Sequence, residues 1–188
     1  TSIIGPNGSG KSTVLKGLTR LLDYRRGAVY LDGRGLKEFT AKELARHIGV
    51  LPQVHSAPPD FQVRDLVGYG RVPHQKWYAR HSEEDEKIID WAMQATGVWP
   101  LRDKSINECS GGESQRVWIA TVLTQQPEIL FLDEPTTYLD IAHQMEMMRL
   151  IKRLNRESGI GVVMVLLSRK DSRIAASRPN IIACMTIW

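Results

Sequence analysis

The chain has 188 residues, 25 lysines and arginines against 21 acids, a formal net charge of +4 and two cysteines, Cys109 and Cys184. That length suits one domain with a real core, and the basic excess is spread without long runs, so nucleic acid is not implied as a partner. Two cysteines exclude a disulfide framework and fit a reducing, cytosolic setting; no apolar run nears the roughly 18 residues of a membrane span, so any membrane role comes through a partner.

The chain opens on Thr1-Ser2-Ile3-Ile4, already inside a strand, and is therefore expected to begin within a larger domain. Next comes Gly5-Pro6-Asn7-Gly8-Ser9-Gly10-Lys11-Ser12-Thr13, which fits Gly-x-x-x-x-Gly-Lys-[Ser/Thr] at every fixed position. It lies between an apolar strand end and the helically spaced Val14-Leu15-Lys16-Gly17-Leu18, the context a phosphate-binding loop needs. Glycines there let successive backbone N–H groups turn inward around phosphates, and the positive end of the following helix strengthens that field. Lys11 is placed to reach the β- and γ-phosphates of a nucleotide and the Ser12 hydroxyl to hold Mg²⁺.

Asp23 to Gly27 reads as a turn and Ala28-Val29-Tyr30-Leu31 as a short strand closed by Asp32-Gly33. Lys42 to Arg46 reads as a brief helix and Ile48-Gly49-Val50-Leu51 as a strand that delivers Pro52 and Gln53 to the sheet edge. On spacing alone Gln53 is a surface cap. From Ala57 to about Trp118 the pattern turns helical, with breaks at Pro73 and Pro100. His55, His74 and His81 read there as solvated loop histidines, and Trp77, Trp91, Trp99 and Trp118 as packing or interface aromatics.

Ser110-Gly111-Gly112 opens a helix through Val117 to Leu123, which is either a second anion-binding arrangement or a serine N-cap with two permissive glycines. Ile129-Leu130-Phe131-Leu132 is a continuous apolar run and reads as a buried parallel strand. It ends in Asp133-Glu134-Pro135. An acid there, beside a phosphate loop, is placed to hold Mg²⁺, and the next acid to orient or deprotonate an attacking water. A helix follows over 141–155 with Met145, Met148, Ile151 and Leu154 on one face, then a turn through Gly159 and a buried strand Val162 to Leu166.

In this order the motifs resemble the nucleotide-binding subunit of ATP-binding cassette (ABC) transporters, from Thr1 to about Leu166. Gly5 to Thr13 looks like Walker A, Leu51-Pro52-Gln53 like the Q-loop, Cys109 to Glu113 like the signature, Ile129 to Glu134 like Walker B and Tyr138-Leu139-Asp140 like the D-loop. The stretches Asp65 to His74, Trp118-Ile119-Ala120 and Glu134 to Gln144 resemble the ATPases of bacterial iron–siderophore importers, with haem and cobalamin systems close by. The resemblance implies a phosphate-loop α/β fold with a mostly parallel core sheet and a helical subdomain over 57–118. It implies ATP and Mg²⁺ as cofactors, with Gly5, Asn7, Gly8, Ser9, Gly10, Lys11, Ser12 and Thr13 on the nucleotide. Ser12, Gln53 and Asp133 would serve the metal and Glu134, with Gln53, catalysis. Ser110, Gly111, Gly112 and Asp140 would close over the ATP of a second subunit in a head-to-tail homodimer. The implied partners are membrane permease subunits and, indirectly, a substrate-binding protein, with the chain at the cytoplasmic face of the membrane.

Departures carry expectations too. Cys109 stands where the signature usually has Leu, Glu113 where Gln is common, and Leu167 where the family has its switch histidine. The tail over 167–188 matches nothing expected of the family, as a shifted reading frame would produce, and the adenine-stacking aromatic of the family lies upstream of the phosphate loop. ATP binding weaker than in an intact subunit and severely reduced hydrolysis are therefore expected. Two rival readings stand beside the importer ATPase. One is a truncated or frame-shifted nucleotide-binding remnant without turnover. The other is a soluble ABC-type ATPase outside transport, against which stand the lack of long coiled-coil heptads, a duplicated cassette or a basic patch.

Overall fold

The computed structural model describes residues 1–24, 26–58, 60–75, 81–137, 139–167 and 182–184. Arg25 in the first predicted turn, Trp77, Tyr138 of the D-loop stretch, and the tail residues 168–181 and 185–188 lie outside them.

Among the described residues five strands form the main sheet: β1 (Ser2–Gly5), β4 (Ile48–Leu51), β5 (Ile129–Asp133), β6 (Gly161–Leu167) and β7 (Ile182–Cys184), in the spatial order β4-β5-β6-β1-β7. The first four are parallel, with Leu51 beside Leu132, Asp133 beside Val165 and Gly5 beside Leu167. β7 runs antiparallel to β1, pairing Ile182, Ala183 and Cys184 with Ile4, Ile3 and Ser2. One strand of the sheet thus falls within 167–188, the stretch expected to match nothing of the family. A small hairpin, β2 (Tyr30–Leu31) with β3 (Arg34–Gly35), stands apart, so the predicted strand from Ala28 is reduced to its last two residues.

Period-2 alternation divides the core between the two faces of the sheet. Leu130, Leu132 and Leu51 point into one buried cluster with the helices α3 (Val63–Gly68), α4 (Glu83–Thr96), α5 (Gly111–Leu123) and α6 (Ile141–Ser158). Ile129, Phe131 and Val165 point into the other, with Ile3, Leu15 of α1 (Lys11–Leu18) and Leu44 of α2 (Ala41–His47). The helices start and stop where their side chains dictate. Thr40, Ser82, Ser110 and Asp140 cap the N-termini of α2, α4, α5 and α6, and Gly97 and Gly159 take left-handed backbone just past the ends of α4 and α6. α6 buries a different stripe from the one predicted. Met147, Leu150, Ile151 and Leu154 face the core, while Met145 and Met148 are exposed.

A buried ion pair ties α4 to the end of α5. Arg71 Nε donates to Asp85 Oδ1 at 2.7 Å, and Arg71 Nη1 donates to the Thr124 carbonyl at 2.8 Å and to Gln126 Oε1 at 2.9 Å. Burial pushes the Asp85 carboxyl up, but the Ser82 N–H and hydroxyl and the Arg71 guanidinium outweigh it and hold it at about 2. A carboxyl held below its unfolded value stabilises the fold above that value and loses the contribution as pH falls toward the folded one. Stability measured by urea midpoint should therefore fall between about pH 4 and 2, with a shallower fall in Asp85→Asn. Arg71→Ala should cost on the order of 3–5 kcal/mol at neutral pH, because it strands a buried carboxylate. An unchanged midpoint would show the pair to be worth nothing.

Candidate functional site

The carboxyl ends of the parallel strands bring the predicted residues together. β1 runs into the loop Gly5 to Gly10, β5 ends at Asp133, and β4 leads through Leu51 and Pro52 to Gln53. Crevices at the carboxyl ends of such sheets are where ligands of this architecture bind.

Gly8 and Gly10 have φ of 78° and 88°, a left-handed region open to glycine and strained for other residues. Gly10 caps α1 without a side-chain acceptor, and no acid occupies the first turn, so the helix N-terminus presents its N–H groups with no negative charge from that turn. Lys11 is buried and donates from Nζ to the Pro6 carbonyl at 2.9 Å. The Ser12 hydroxyl donates to Asp133 Oδ1 at 3.0 Å across 121 residues of sequence, joining loop to strand end.

Glu134 follows Asp133 with φ 52°, an outlier of the kind that clusters at functional sites. Its backbone N–H donates to the Val165 carbonyl at 3.1 Å. Gln53 Nε2 donates to Glu134 Oε2 at 2.9 Å, so the residue read on spacing as a surface cap reaches the strand-end acid. Thr137, which the sequence reading did not single out, donates from Oγ1 to the same Oε2 at 3.0 Å. Its place three residues after Glu134, in a turn closed by its own N–H, was the signal available.

The residues present fit a triphosphate and a divalent cation. Ser9 Oγ is buried with no hydrogen-bond partner among the described residues, and a Cβ at Gly5 would lie 2.8 Å from it. An unpartnered hydroxyl inside a loop of inward N–H groups suits a phosphate oxygen. Ser12 and Asp133 supply the hard oxygen donors that Mg²⁺ prefers.

Ser110, Gly112 and Asp140 form a second cluster. The Ser110 hydroxyl accepts from the Glu113 N–H at 3.3 Å while Glu113 Oε2 accepts from the Ser110 N–H at 2.8 Å, a reciprocal cap on α5. The Ser110 N–H and, after it, the Ser110 hydroxyl hold the Glu113 carboxyl below its ordinary value. Asp140 accepts from the His143 N–H at 2.8 Å and pairs with His143 Nδ1 at 2.9 Å. The His143 ring lies over Gly112, where a Cβ would meet its Cδ2 at 2.6 Å.

The loop histidines are more engaged than the sequence suggested. His74 Nε2 bonds the Gln125 carbonyl at 2.8 Å, His81 Nδ1 meets Gln75 Nε2 at 2.7 Å, and the half-buried His55 ring packs on Trp118 with centroids 4.8 Å apart. Burial pushes His55 and His74 down from the ordinary imidazole value, and their contacts to the Pro52 and Gln125 carbonyls only partly offset it. Trp99 lies under Arg64 and Arg102, while Trp91 stays partly exposed.

Sheet order, phosphate loop and paired strand-end acids define a phosphate-loop nucleotide-binding protein of the α/β class. The family model "ABC transporter" matches residues 1–137, and the chain belongs to that family. It is 48% identical over 166 residues to the iron(3+)-hydroxamate import ATP-binding protein FhuC of Bacillus subtilis (strain 168), covering 88% of this chain and 62% of that protein. It is 42% identical over 199 aligned residues to "Probable siderophore transport system ATP-binding protein YusV" of the same organism, covering 98% of this chain and 72% of that protein. That coverage reaches into 167–188, the stretch where the motif pattern departs. A solved dimeric structure of a bacterial ABC transporter cassette superposes with TM-score 0.72 at 32% identity, covering 87% of this chain and 72% of that one. The chain spans about three fifths of the length of FhuC and of the ferric enterobactin transport protein of Escherichia coli (strain K12). Among the described residues no helix is long and apolar enough to cross a membrane.

Proposed function

We propose that the chain is the ATP-binding and ATP-hydrolysing part of an importer subunit for iron–siderophore complexes. The observation that carries this reading is the join between phosphate loop and strand-end acids, Ser12 to Asp133 at 3.0 Å, with Gln53 on Glu134 at 2.9 Å. The names of the similar proteins, which import iron chelates, supply the substrate class.

In this reading Gly5, Asn7, Gly8, Ser9, Gly10 and Thr13 cradle the phosphates, and Lys11 spans the β- and γ-phosphates. Ser12 and Asp133 would hold Mg²⁺, with Gln53 serving the same site. When bound, the ion neutralises charge on the phosphate oxygens and orients them for in-line attack. Glu134 takes the proton of the attacking water as the new oxygen–phosphorus bond forms and the bond to ADP breaks, giving ADP and phosphate. The segment 57–118 acts as a helical subdomain. Ser110, Gly111, Gly112 and Asp140 close over the nucleotide of a second copy head-to-tail, supported by the dimeric similar structure. Permease subunits at the inner face of the membrane take up the motion, and a substrate-binding protein delivers the chelate to them.

Equilibrium dialysis of labelled ATP tests the site. Binding should strengthen with Mg²⁺ in the parent chain, and Asp133→Asn should remove most of that dependence while leaving metal-free binding in place. No ATP binding, or a metal dependence that survives Asp133→Asn, would overturn the assignment.

A further inference from the structure

Two donors converge on one oxygen of Glu134. Gln53 Nε2 and Thr137 Oγ1 both reach Oε2, at 2.9 and 3.0 Å, and among the described residues Oε1 accepts none. Thr137 grips the acid twice, because its backbone N–H also donates to the Glu134 carbonyl at 3.1 Å. The Glu134 N–H donates to the Val165 carbonyl, so both polar groups of its left-handed main chain are hydrogen-bonded. A β-branched side chain is stiff at χ1, which keeps the Thr137 hydroxyl aimed once its backbone is fixed.

We infer that Thr137 is a positioning residue for hydrolysis: by holding Oε2 it leaves Oε1 as the one oxygen free to take the proton of the attacking water. The inference rests on the reading of Glu134 as the base. It goes beyond it by assigning the orientation of that base to a side chain within the same turn, rather than to the Gln53 loop alone. Gln53 is exposed and lies in the loop after β4, so its contact depends on how that loop sits; the Thr137 contact is built into the turn.

Four versions of the chain test the contact itself without any turnover: the parent, Thr137→Val, Glu134→Ala and the double variant, compared by thermal unfolding. Thr137→Val should lower Tm by a few degrees in the parent and leave it unchanged in the Glu134→Ala background. Equal losses in both backgrounds would overturn the contact. In single-turnover hydrolysis with protein in excess, Thr137→Val should slow the rate roughly tenfold to hundredfold, the worth of one charge-assisted hydrogen bond. ATP affinity should hold, and Thr137→Ser should recover most of the rate. If Glu134→Gln hydrolyses like the parent, the base reading fails and takes this inference with it. If Glu134→Gln is inactive while Thr137→Val keeps the parent rate, only the inference fails.

Discussion

Glu134→Gln should bind MgATP about as well as the parent and lose roughly 10²–10⁴-fold in single-turnover hydrolysis, the span over which a positioned general base acts. The substitution keeps the volume of the side chain, and it leaves Lys11, Ser12 and Asp133 untouched. What it removes is the acceptor for a proton. An amide at this place can still take a hydrogen bond from Thr137 or Gln53 through its oxygen, so the turn should survive and thermal unfolding should change little. Affinity and rate therefore separate, which is the pattern expected when an interaction counts only in the transition state. Trapped ATP should also favour the paired form, visible as a nucleotide-dependent dimer by light scattering. A parent-like rate would remove Glu134 from the chemistry.

The elements read most surely from sequence were the strands buried along most of their length. β4 and the core of β5 are continuous apolar runs between turn residues, because both faces of a parallel strand are covered. β3 carries no such mark, and the short apolar run around β7, Ile181 to Met185, belongs to no motif that places it in the sheet. Arg34–Gly35 is too short to show a period, and Ile182–Cys184 is a strand because β1 offers it an open edge, a fact located some 180 residues away in sequence. The α6 stripe failed for a geometric reason. Steps of three alone drift around a helix, and the buried set Met147, Leu150, Ile151 and Leu154 follows the mixed spacings of three and four that keep to one face.

The site divides the same way. Ser12 and Asp133 were legible because each belongs to a local motif whose chemistry calls for the other, although 121 residues separate them. Gln53 had no local motif of its own; its meaning came from the resemblance, and its contact to Glu134 gives that meaning a distance. The histidines were misjudged because their partners, the Gln125 carbonyl for His74 and the Trp118 ring for His55, are brought near only by the packing of α5.

Lys11→Ala should weaken ATP binding by at least roughly a hundredfold, since it removes charge-assisted hydrogen bonds to two phosphates at about 1.5–3 kcal/mol each. The loop itself should persist. Gly8 and Gly10 set its left-handed turns, and among the described residues the Lys11 ammonium donates only to the Pro6 carbonyl, so unfolding should shift little. Lys11→Arg should not restore binding. Lys11 is only 4% exposed, and a planar guanidinium with a wider fork does not fit a slot shaped for a compact ammonium. The pair of variants separates charge from shape. Equal losses in both show that the site needs an ammonium at this position, whereas recovery by arginine would show that positive charge near the α1 N-terminus is sufficient. Undiminished binding by Lys11→Ala would mean that the phosphates are held somewhere other than this loop.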